Sequence, residues 1–177
     1  VLDRLIQSLI MDKNIDASSL LVCARNAIFI AARATAYGSD YEATVGCPVC
    51  GKRHDIVHDL GTFSFEDPAL SEGVEITTRG SCRVVLPRSG KKVEFRLMTG
   101  YDEKANSNSD KNAQVGSQVT EQLKSLILTV DDNQDIALVN AFATNMPAFD
   151  SRFLRKAIRQ ATPNTDLKFQ LHCDECE

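Results

Sequence analysis

A chain of 177 residues with 43% hydrophobic and 25% charged residues has an ordinary globular composition, which excludes a wholly disordered protein. Twenty Lys and Arg stand against 24 Asp and Glu, a net charge of −4, so bulk charge does not point to nucleic acid as a partner. The most apolar run, residues 18–36, is interrupted by Arg25, Asn26 and Arg33; no membrane span is expected, because one needs about 20 mainly apolar residues.

In chain order, Leu2, Leu5, Ile6, Leu9 and Ile10 recur at helical spacing and predict a short amphipathic helix over residues 1–11. Asp16, Ser18 and Ser19 offer caps for a second helix running to about residue 36, with Gly38 as its stop. That helix is apolar nearly all round, which predicts burial in the core or against a partner, with Cys23 as a small buried hydrophobe. Residues 41–45 and 54–60 read as strands, residues 66–68 as a linker and residues 74–78 as a further strand. Residues 82–86 and 92–97 alternate with period two around a Ser89-Gly90 turn and predict a hairpin, with Cys82 facing the core. Residues 106–117, rich in Asn and Ser, predict a mobile loop. Helices are then expected over 119–128, 136–145 and, capped by Asp150 or Ser151, up to residue 161; a turn at 131–133 separates the first two. Pro163-Asn164 leads into a strand over 167–172. The fold class is α+β, helices packed on antiparallel strands and hairpins. Three stretches follow: N-terminal helices (1–40), a cysteine knuckle with its flanking strands (41–66), and the hairpin, helical segment and terminal knuckle (67–177), together one compact domain.

Six cysteines fall as two singletons and two C-x-x-C pairs, Cys47–Cys50 and Cys173–Cys176. Each pair can bend into a knuckle aiming two sulfurs at one metal, and two pairs supply the four thiolates of a closed, zinc-ribbon-like structural zinc site. Roughly 120 residues separate Cys50 from Cys173, far more than in single-site ribbons, so a shared site requires the fold to bring both ends together. Two alternatives stand beside it. Cys47 and Cys50 could use His54 and His58 locally, with Cys173 and Cys176 completed by residues past Glu177; or Cys47-Pro48-Val49-Cys50 could be a redox tetrapeptide, which needs its first thiolate at a helix N-terminus. A zinc deaminase is excluded by the lack of an H-x-E motif.

Further segments resemble a known family. Ala34-Thr35-Ala36-Tyr37-Gly38 leading through Tyr41 to Cys47-Pro48-Val49-Cys50-Gly51 is similar to the opening of baseplate hub proteins of T-even-like contractile-tailed bacteriophages. Phe95-Arg96-Leu97-Met98-Thr99-Gly100-Tyr101-Asp102-Glu103 and Met146-Pro147-Ala148-Phe149-Asp150-Ser151-Arg152, continuing to Asp166 and the terminal cysteines, resemble the same family. The resemblance runs from about Leu20 to the end of the chain and implies continuation beyond Glu177. It implies a structural or assembly protein of the tail baseplate, assembled in the host cytoplasm and carried in the virion. Its partners would be other baseplate, hub or tail-tube subunits, with no membrane and no small-molecule substrate.

No enzyme is expected: the chain has no glycine-rich phosphate loop, no H-E-x-x-H and no G-x-S-x-G. Arg152, Arg155, Lys156 and Arg159 form one basic face of the last helix, a candidate partner-binding stripe. The same stripe supports the alternative of a zinc-ribbon adaptor binding nucleic acid. The net negative charge and an aromatic content of 6% weigh against that alternative.

Overall fold

The computed structural model describes residues 2–62, 64–70, 72–108, 115–165 and 172–176. In chain order its elements are α1 (Leu2–Leu9), α2 (Val22–Tyr37), β1 (Asp40–Gly46), β2 (Arg53–Asp59), β3 (Phe65–Glu66), β4 (Glu75–Ile76), β5 (Cys82–Val85), β6 (Lys92–Phe95), α3 (Gly100–Asn108), α4 (Val115–Leu126), β7 (Ile127–Val130), α5 (Ile136–Asn145), α6 (Ala148–Ala161) and β8 (Asn164–Thr165). Two antiparallel sheets carry the α+β architecture, β4-β5-β6-β7 and the hairpin β1-β2; β3 and β8 add a two-residue pairing. No helix among the described residues is long and apolar enough to cross a membrane.

Period-two alternation places Cys82 and Val84 of β5, and Val93 and Phe95 of β6, on one buried face. Leu123 of α4, Val139 and Ala143 of α5, and Leu154 and Ala157 of α6 close over that face and form the main core. Phe95, Val93, Leu86 and Leu154 are wholly inaccessible, and each contributes about 1.5–3 kcal/mol through burial. The turn between β5 and β6 is tied to α6 by Asp150. Its carboxylate accepts the backbone N–H groups of Arg88 and Ser89, each at 2.9 Å, and is itself wholly buried. Asp150 was expected to cap α6. Instead the helix begins at Ala148 behind Pro147, and the buried carboxylate takes its two partners from the backbone of the exposed hairpin turn.

Helix α2 is covered by this chain's own core only in part. Cys23, Arg25 and Ala27 are buried, whereas its last two turns are half-exposed or exposed. Arg25, an interruption in the sequence pattern, is the polar anchor of its inner face. Its guanidinium reaches Asp3 of α1 (2.8 Å), Glu103 of α3 (3.5 Å) and the Ala17 carbonyl (3.2 Å). A Cβ at Gly100 would sit 2.2 Å from Arg25 Nη1, so a side chain there would displace the guanidinium from its present partners. Lys104 extends the network to Asp3 and to the Ser18 hydroxyl, and Tyr101 donates its hydroxyl to Asp16. Asp16 also accepts the Ser18 N–H, capping the short 3₁₀ turn Ala17–Ser19 rather than α2.

Other boundaries moved for local reasons. Helix α3 runs to Asn108 and α4 starts at Val115, so the expected loop over 106–117 is helical at both margins; residues 109–114 lie outside the described residues. Residues 127–128, expected as helix, belong to β7, because Ile127 and Val130 pair with Phe95 and Val93 of β6. The expected strand over 167–172 falls outside the described residues except for His172.

Helix α3 is opened by a capping arrangement. Asp102 accepts both the N–H and the hydroxyl of Thr99, each at 2.8 Å, and a bidentate pair from Arg96 at 2.7 Å. Burial pushes the Asp102 carboxyl up, but these four donors outweigh it and hold the pKa at about 2. The folded carboxyl thus releases its proton more readily than the unfolded one. The resulting stability, about 2 kcal/mol, is complete above pH ~4 and fades as pH falls toward ~2. Asp102→Asn should therefore lower the melting temperature at pH 7, and the gap to wild type should close on acidification through that window. Asp150→Ala should cost about 1–3 kcal/mol in urea unfolding, since it removes two hydrogen bonds between α6 and the hairpin turn. A cost within 0.5 kcal/mol would show that the hairpin turn relaxes to solvent.

Candidate metal centre

Hairpin β1-β2 aligns Val45 with His54 and Gly46 with Arg53, so its closed end delivers Cys47 directly into the turn. Cys47 N–H donates to the Lys52 carbonyl (2.8 Å) and Gly51 N–H to the Cys47 carbonyl (2.9 Å). Gly51 sits at φ +76°, a left-handed conformation that favours glycine. This geometry turns the N–H groups of Cys50 and Val49 onto the Cys47 sulfur and lowers its pKa. The terminal pair repeats the device, with the N–H groups of Glu175 and Cys176 aimed at the Cys173 sulfur.

The two knuckles face each other. Cys47 Sγ lies 3.6 Å from Cys176 Sγ and Cys50 Sγ lies 3.5 Å from Cys173 Sγ, and all four sulfurs fall within 4.8 Å of one another. No disulfide links them. The spacings approach the ~3.8 Å edge of a tetrahedron with metal–sulfur bonds of about 2.3 Å. Lys52 and Glu175 close a 2.7 Å salt bridge between the two knuckles. Cys47 and Cys173 are buried, and Cys50 and Cys176 are exposed.

The electrostatics of the cluster suit a cation. The Cys173 thiol is drawn down to about 6, first by the Glu175 N–H and then, against burial, by Cys50 and His54. Cys176 is pushed up to about 12 because Cys47, Cys173 and Cys50 surround it. Without a metal, ionising one thiol opposes ionising the next; a divalent ion removes that opposition and displaces the protons. An S₄ tetrahedron suits zinc or iron, and four protein ligands leave no open position for substrate.

The structure thus brings together all four cysteines read as ligands: Cys47, Cys50, Cys173 and Cys176. The redox alternative loses its premise, because Cys47 lies in a turn between two strands and not at a helix N-terminus. The local alternative loses its partners. The terminal cysteines stand against Cys47 and Cys50, while His58 lies at the far end of β2 opposite Tyr41. Sequence reasoning named His54 only as a local ligand candidate; its place beside Cys173 and the Lys52–Glu175 bridge depend on which strand positions face the second knuckle. The basic face lies elsewhere, with Arg152, Arg155, Lys156 and Arg159 all exposed on α6.

Purified chain should carry about one metal ion, and its removal by chelator should lower the melting temperature by many degrees, because structural-metal affinity is folding free energy. Cys47→Ser should reproduce that loss, whereas Cys82→Ser, a substitution in the sheet core, should leave metal content unchanged. Two ions per chain, or equal metal loss in both variants, would overturn the shared site.

No curated protein and no solved structure matches the chain. A family model described as T4 bacteriophage base plate protein matches residues 1–78. That segment holds α1, α2, the hairpin β1-β2 and the first knuckle; the second knuckle and the basic face of α6 lie outside it. Of the segments that resembled that family, the one from Ala34 to Gly51 falls within the match: over residues 1–78, this chain is similar to a baseplate protein family of T4-like phages.

Proposed function

We propose that this chain is a structural or assembly protein of a contractile phage tail baseplate, in its hub region, held together by structural zinc and acting through protein contacts. The observation that carries the reading is the match of residues 1–78 to the baseplate family. The zinc would be held by Cys47, Cys50, Cys173 and Cys176, and its role is architectural, since a closed S₄ set leaves nothing to activate water. The contact surface proposed is the basic face of α6. Arg152, Arg155, Lys156 and Arg159 are exposed on it, and none forms a salt bridge among the described residues. Their inner neighbours Leu154 and Ala157 are buried in the core, so the helix presents these charges from a rigid base. A neighbouring subunit with an acidic surface is the complement of such a face.

Replacing Arg155 and Arg159 with Glu tests the reading. Both side chains are exposed, so the melting temperature should change by only about 2 °C, while incorporation into baseplates should fall at least tenfold. Normal incorporation would overturn the docking face. Retained incorporation with a lost, salt-sensitive affinity for duplex DNA would favour the nucleic-acid adaptor instead.

A further inference from the structure

His54 is half-buried on β2, and its register partner Val45 leads into Cys47 two residues later. Its Nε2 is buried and has no aligned hydrogen-bond partner, although the ring stands within interaction reach of the Cys173 thiol. Buried polar atoms without partners are rare and require an explanation. Other ring positions on this strand do not share the situation: His58 faces the apolar cleft lined by Phe29, Ile30 and Ile56. The four sulfurs already complete a tetrahedral shell, so a fifth ligand is not needed, whereas the charge of four thiolates exceeds that of one divalent ion and draws every available N–H.

We infer that His54 is a positioning residue of the metal centre, donating its Nε2–H to the Cys173 thiolate once a metal fixes that sulfur. This rests on the metal site proposed above. Backbone N–H groups supply donors to Cys47 and Cys173 from within their own knuckles. His54 differs because it links the sulfur of the terminal knuckle to the hairpin that carries the first. The bond would thus clamp one half of the site to the other without contributing a ligand. Outer partners of this kind commonly alter metal affinity 10–100-fold.

The experiment loads the full wild-type chain with ¹¹³Cd and records ¹H–¹¹³Cd correlations, which report N–H···S–Cd bonds through scalar coupling. The expected result is a cross-peak from His54 Hε2 beside those from backbone N–H groups of the knuckles. Backbone cross-peaks without one from His54 would overturn the inference and leave the metal site standing; no bound cadmium at all would overturn both. Variants give an independent reading by chelator competition and by the thiolate-to-cobalt charge-transfer band of the cobalt-loaded protein. His54→Phe should weaken affinity 10–100-fold and shift the band, with His54→Gln, which keeps an N–H donor, within about threefold of wild type. His54→Phe matching wild type would overturn the role. A change in His54→Phe from an S₄ to a three-sulfur cobalt spectrum would also overturn it, by making His54 a ligand.

Discussion

Four sulfur atoms drawn from positions more than 120 residues apart converge within 4.8 Å, and the position of the hairpin β1-β2 depends on that convergence. The hairpin has little core of its own. Its inward positions are half-buried at best, and its outward positions, Val57 among them, are exposed. Two strands with so thin an apolar face are marginal in isolation. At its open end Arg33 of α2 stacks across Tyr37 and Tyr41, at 5.1 and 5.9 Å from the ring centroids, and fastens the hairpin to the helix. At its closed end the fastening is the pairing of the two knuckles, supplemented by Lys52–Glu175.

The large sheet is stabilised differently. Its face is closed by α4, α5 and α6 through apolar packing, and buried carboxylates tie the margins of that core to backbone donors. Asp150 serves that purpose for the β5-β6 turn and Asp102 for the start of α3. Both are buried carboxylates whose oxygens meet N–H donors, the condition under which a buried charge is tolerated.

The segment that matches the baseplate family meets the remainder of the described residues at several places, β4 by pairing with β5 among them. Arg25, Asp3 and Lys104 join α1 and α2 to α3 through charge. Strands β3 and β8 join through a short backbone pairing. The cysteines join the first knuckle to the second through sulfur.

Local pattern made much of this legible. Period two gave the β5-β6 hairpin, helical spacing gave α1, α5 and α6, and the two C-x-x-C pairs named the candidate ligands, because each of these signals lies within a few consecutive residues. Three features were not legible for a shared reason. Arg25 looked like a break in an apolar run until α1 and α3 supplied its carboxylates; Asp150 looked like a helix cap until the β5-β6 turn presented two N–H groups; His54 stood as a ligand only in the local alternative, which gave way once Cys173 and Cys176 arrived beside Cys47 and Cys50. The sequence by itself determined which residues can bind a metal, alternate on a strand or line a helix face. Only tertiary packing determined which polar group meets which, because a hydrogen bond or a coordination shell is set by distances of about 3 Å between atoms that the chain brings from far apart.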